Sequence, residues 1–266
     1  MALEVMKQAI KDKAMGALVV TVLLFFYVFW IATFFPQLKD SLGLYDEMLK
    51  NPTIQAIIGS EVTSMGTFTG YMAMEVFSYM GLVLGAYIVF VTASFVAGEI
   101  EQKCSELMLS LPVSREHVLL SRFAVLVPVI ALVTLAMLAA IYAGGWFIGE
   151  TTEIGWFGYA MLFTGAFLLA AGALSLFVSA LMSDGRKAAL LSTGILLAMF
   201  LVENIGSMVT SIDWARRLSL FHYSKVASIV LNHEVSWTNL GLLLLVAIVF
   251  LALAVIAFRR RDVNVN

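Results

Sequence analysis

Apolar residues gather in six long runs, at about 16–35, 71–97, 123–148, 157–182, 188–209 and 240–258, with polar residues clustered between them. Each run holds roughly 20 residues or more, which is what a helix needs to cross about 30 Å of hydrocarbon. The pattern predicts an all-α membrane protein, six transmembrane helices in a single domain spanning 1–266. The first run follows Lys7, Lys11 and Lys13 and reaches Phe35 with no small-residue cleavage pattern, so it reads as an uncleaved span rather than a signal peptide.

The stretches between the runs add detail. Residues 1–15 form a basic amphipathic lead-in, predicted to lie along the inner membrane surface. Pro36 is expected to close the first span, leaving 36–70 as an outer loop with a small helical cap. Pro128 removes a backbone hydrogen bond early in the third span and predicts a kink there. Gly149 to Trp156 is a short loop with Glu150 and Glu153 and no basic residue. Gly165, Ala166 and Ala170 to Ala173 make the fourth span rich in small residues, which let helices pack closely in lipid. The loop 210–239 carries Trp214, Phe221, Tyr223 and Trp237, typical of an interfacial hairpin.

Two carboxylates, Glu75 and Glu203, and one carboxamide, Asn204, fall inside the runs. Ionisable groups at membrane depth cost several kcal/mol unless paired or hydrated, so they form a candidate intramembrane polar site. Both glutamates lie toward the outer ends of their spans, where a side chain can also snorkel to the interface. Arg216 and Arg217, just beyond the fifth span, can pair with either.

Composition agrees with a membrane protein: 61% of residues are hydrophobic and 13% charged, with a mean hydropathy of +0.96. The formal net charge of −2 gives no sign of a nucleic-acid surface. The placement of the positive charges is more informative. With the amino end inside, the inner segments hold Lys7, Lys11, Lys13, Lys103, Arg115, Arg122, Arg186, Lys187 and Arg259 to Arg261, eleven of the sixteen Lys and Arg. The positive-inside rule then places both termini and the segment 98–122 in the cytoplasm.

Catalytic equipment is missing from the sequence. No G-x-x-x-x-G-K-[ST] loop is present to cradle a phosphate. His117, His222 and His233 are scattered, no metal cluster emerges, and the single Cys104 excludes an internal disulfide. No catalytic residue, metal ligand or cofactor is expected in this chain. There is no convincing internal repeat either, so a two-sided pathway needs a second copy or a partner.

The segment Gly98 to Arg122 stands apart. Read as a helix, Ile100, Cys104, Leu107, Met108 and Leu111 share a face, whereas Glu101, Glu106 and Leu109 lie on the other side. Pro112 breaks the pattern, and Ser114 suits the N-cap of a new helix with Glu116 in its first turn. The run Gly98-Glu99-x-Glu101, Ser105, Leu107, Leu109, Pro112-Val113-Ser114-Arg115 resembles the signature of ABC transporter permeases of the type 2 exporter class. Cys104 departs from that pattern, which has glycine at the position.

The resemblance implies a cytoplasmic coupling helix between spans 2 and 3. Gly98, Glu99, Glu101, Glu106, Leu109, Pro112, Ser114 and Arg115 would dock it on a separate ABC ATPase subunit, which binds ATP and Mg. It also implies a second permease copy, a homodimer, in the cell membrane of a prokaryote, exporting a drug, antibiotic, lipid or other amphipathic molecule. Ion extrusion, copper-enzyme maturation or a non-transporting scaffold are the alternatives.

Overall fold

The computed structural model describes residues 2–49, 66–95, 115–208 and 213–260. Most of these residues are helical, with no strand among them, and six helices are long and apolar enough to cross a membrane. In chain order the spans are Met15–Lys39, Phe68–Ala93, Leu119–Ile148, Ile154–Leu181, Gly185–Ser207 and Trp237–Arg260.

The first span lies within α1, Ala2–Leu49, a helix of 48 residues with Pro36 inside it. The lead-in is therefore the beginning of this helix rather than a separate surface segment, and Pro36 does not end it. The reason is tertiary. Just before the proline, Phe35 is fully buried, its ring 5.6 Å from Phe68 and 5.5 Å from Tyr71. Just after it, Lys39 Nζ lies 2.6 Å from Glu150 Oε1. Contacts on both sides hold the helical path, so the proline's lost hydrogen bond does not break it. The outer loop expected from 36 therefore starts later, and its remainder, 50–65, lies outside the described residues.

Next, α2 runs Phe68–Ala93 and includes a π-helical turn over Ala73–Phe77. Thr67 caps its start by accepting from the Gly70 amide at 3.1 Å. The third span is divided as Pro128 predicts. A short α3, Arg115–Ala124, stops one residue before α4, Leu126–Ile148. The carbonyl of Ala124 is the one a proline at 128 leaves without its partner. At the junction the Val125 amide bonds instead to the Arg122 carbonyl, 3.1 Å away.

The fourth span, α5 (Ile154–Leu181), is the hub, packed against the second, third, fifth and sixth spans. Its small residues allow this. A Cβ on Gly172 would stand 2.9 Å from Leu126 Cδ1 and 3.2 Å from Ile88 Cγ2. Two buried serines fasten α5 to α2: Ser175 Oγ donates to the Val89 carbonyl at 2.8 Å, and Ser179 Oγ to the Ala93 carbonyl at 2.7 Å.

A second tight crossing joins α1 to α4. A Cβ on Gly144 would lie 2.3 Å from the Ala32 Cβ, a group that cannot swing away. Gly144→Ala is expected to lose about 1–2 kcal/mol, because overpacking outweighs the roughly 1 kcal/mol of helix propensity that alanine gains. Thermal unfolding in detergent should show a lower midpoint, and Ala32→Gly should restore it. An unchanged midpoint in the single variant would show that the crossing is loose.

The fifth span, α6 (Gly185–Met208), begins at Asp184, whose Oδ1 accepts from the Arg186 and Lys187 amides at 2.9 and 3.1 Å. Those bonds, led by the Lys187 amide, hold the carboxyl below the usual carboxylate range. The cap thus contributes above the ordinary carboxylate pKa and is lost as pH falls through the depressed value.

Candidate functional site

The loop expected over 210–239 is largely helical. It contains α7 (Asp213–Arg216), α8 (Leu220–Ser224) and α9 (Val226–Asn232), and the sixth span, α10, starts at Trp237 and ends at Arg260. The short helices do not stay at the rim. Ser219 caps α8 and also donates to the Met199 carbonyl at 2.9 Å. Met199 precedes the end of α6 at Met208 by nine residues, about 13 Å along its axis.

Phe221 follows at similar depth, its ring 4.7 Å from Phe167 and 5.4 Å from Phe200. Gly81 lies alongside it, where an added Cβ would meet the Phe221 ring at an ordinary contact distance of 3.5 Å. Lys225 turns the chain in the left-handed region, φ 33°, and α9 returns to His233. His233 Nε2 lies 3.0 Å from Glu153 Oε2, and its ring stacks on Trp156 at 4.7 Å. The stretch is a re-entrant hairpin of short helices that folds back alongside α6 and is fastened at its return end.

Beneath it is a cavity of about 350 Å³ between α2, α5, α6 and the hairpin. Phe77, Met80, Phe167, Phe200 and Phe221 form apolar walls, and Glu203, Asn204, Arg216 and Lys225 supply polar ones. Arg216 reaches Glu203 Oε1 through Nη2 at 2.7 Å and Nε at 3.2 Å, and its Nη1 bonds Asp213 at 3.0 Å. The Glu203 and Arg216 side chains are only 17% and 18% exposed. The Glu203 carboxylate raises the guanidinium pKa above its already high ordinary value, so Arg216 stays charged. Glu203 Oε2 is buried and takes no hydrogen bond; His222 Nδ1 stands 3.4 Å from it.

The polar residues singled out in the sequence thus separate. Glu203 and Asn204 line the cavity, the Asn204 amide donating to the Phe200 carbonyl at 2.8 Å. Glu75 sits on the π-turn with its residue surface exposed and does not line the cavity. Of the two arginines offered as partners, Arg216 pairs with Glu203, and Arg217 accepts at its carbonyl from Tyr223 Oη. His222 and Lys225 were not legible as site residues. Their only sequence signal is a serine cap at 219 and a short apolar run after 225, too brief for periodicity to place. Among the described residues no group of three side chains gathers to hold a metal.

Gly98, Glu99, Glu101, Glu106, Leu109, Pro112 and Ser114 lie outside the described residues. Arg115 begins α3, with Glu116 in its first turn. The two flanks of the segment are joined: Arg122 Nη1 donates to the Phe95 carbonyl at 2.5 Å. Glu116 pairs with Arg259 at the end of the sixth span.

The sequence matches the family described as ABC-2 family transporter protein over residues 3–263. Among curated proteins, none matches it.

Proposed function

The chain belongs to the ABC-2 transporter family, and from that premise we propose that it is the permease subunit of an ATP-driven exporter. It moves a drug, antibiotic, lipid or other amphipathic molecule, and ATP hydrolysis takes place on a separate cytoplasmic ABC ATPase. The observation that carries this reading is the family match across nearly the whole chain. The sequence carries no phosphate-cradling loop, which is in keeping with ATP hydrolysis on a separate subunit.

Force enters through the segment 98–122, with Glu101, Glu106 and Leu109 toward the ATPase. The Arg122 contact to Phe95 and the Glu116 pair with Arg259 support this role. A displacement of the segment is passed through them to the second, third and sixth spans together. Two permease copies in the cell membrane of a prokaryote, both termini inside, complete the pathway, consistent with the excess of Lys and Arg on that side.

The test is co-expression with an ATPase carrying Walker motifs and encoded beside this chain, then reconstitution in lipid. The complex should co-purify and hydrolyse ATP faster when substrate is present. Substrate movement by the permease alone, with no ATPase and no ATP, would overturn the reading.

A further inference from the structure

We propose that the cavity under the re-entrant hairpin binds the acidic headgroup of an amphiphile, with Lys225 as the residue that selects the negative charge. This rests on the transport reading and narrows its substrate class.

Charge balance is the first argument. Three charged residues line the cavity, Glu203, Arg216 and Lys225. Arg216 holds Glu203 at 2.7 Å and, at the edge of the cavity, Asp213 at 3.0 Å, so both carboxylates beside it are engaged. Lys225 is the charged lining residue that has no ion pair among the described residues, at a position of intermediate exposure.

Position is the second. Lys225 occupies the turn of the hairpin, and the seven residues of α9, about 10 Å of helix, separate it from the latch of His233 on Glu153. It holds a left-handed conformation that a side chain other than glycine or asparagine adopts reluctantly. A lysine is therefore kept at a strained turn that borders the cavity.

The walls are the third. Phe77, Met80, Phe167, Phe200 and Phe221 suit a hydrocarbon or aromatic body next to the charged group. A cationic headgroup is disfavoured, because Glu203 is already held by Arg216 and its Oε2 is buried beside His222.

The experiment uses the full-length permease alone in phosphatidylcholine nanodiscs, with empty nanodiscs as baseline. The probes are diphenylhexatriene propionate, an anion, and its trimethylammonium counterpart, which differ mainly in headgroup charge. The wild-type protein should bind the anion about tenfold more tightly, the reach of one charge-assisted contact. Lys225→Gln should abolish the preference, and Lys225→Arg should keep it. Melting midpoints of the two variants identify a folding defect, and the Arg variant preserves the test if Gln unfolds. Equal binding of both probes by wild type, or a preference unchanged in Lys225→Gln, overturns the proposal.

Repeating the titration with phosphatidylglycerol in the nanodisc separates two sources of the same chemistry. Competition identifies a bilayer lipid headgroup as the occupant, and its absence a free amphiphile. Because no ATPase takes part, failure here leaves the export reading standing. That reading fails separately if the ATPase complex does not form.

Discussion

Arg216→Ala is expected to destabilise the protein by roughly 2–3 kcal/mol and to abolish transport. Its guanidinium is the main partner of a Glu203 carboxylate that is mostly buried between α6 and the hairpin. Breaking a fully buried pair costs about 3–5 kcal/mol, because the remaining charge cannot be hydrated. The figure here is lower since each partner keeps nearly a fifth of its side-chain surface exposed.

The cost is thus mainly that of stranding Glu203, not the attraction itself. It follows that Glu203→Gln combined with Arg216→Gln should recover most of the stability, a coupling that a double-mutant cycle in detergent melts measures directly. Glu75→Gln should leave the midpoint unchanged, since Glu75 is exposed and no described residue forms an ion pair with it. An Arg216→Ala protein that melts like wild type would show that the pair does not hold the hairpin.

Much of this is legible in the sequence, and what is not has a common cause. Local signals placed the helices. Length and apolarity located the six spans, Pro128 located the break before Leu126, and small residues marked α5 as the close-packed helix. The Glu203–Arg216 pair could be posed as one option because both residues lie at neighbouring ends of α6 and the hairpin.

What failed depended on distant partners. α1 passes Pro36 because Phe35 rests on Phe68 and Tyr71 and because Lys39 meets Glu150, 111 residues away. The hairpin descends because Ser219 finds the Met199 carbonyl and the Phe221 ring packs against Phe167 and Phe200. Three helices of four to seven residues carry too few positions for an amphipathic pattern to show which way they run. His222 and His233 looked alike in the sequence, yet one faces Glu203 in the cavity and the other closes the hairpin on Glu153.

The second large effect is expected at the segment 98–122. Leu109→Glu should reduce ATPase co-purification and transport by tenfold or more without lowering the melting midpoint of the permease alone. In the helical reading of the sequence, Leu109 is an apolar side chain on the polar side, opposite the stripe of Ile100, Cys104, Leu107, Met108 and Leu111. Burying a leucine in a groove of a partner is worth about 1.5–3 kcal/mol, and forcing a carboxylate into the same groove adds a desolvation penalty. Either contribution suffices for about a tenfold loss of affinity. Leu109→Met, of similar volume, should retain coupling. Unchanged co-purification and transport in Leu109→Glu would remove the docking assignment.

The account as a whole depends on that segment facing the side of the membrane where ATP is hydrolysed. Cys104 is the only cysteine in the chain and lies within the segment, so a membrane-impermeant maleimide reports its side without further engineering. Labelling should occur in inside-out vesicles and be absent in intact cells. Labelling of Cys104 in intact cells would put the segment outside, beyond the reach of any ATPase, and would contradict the account.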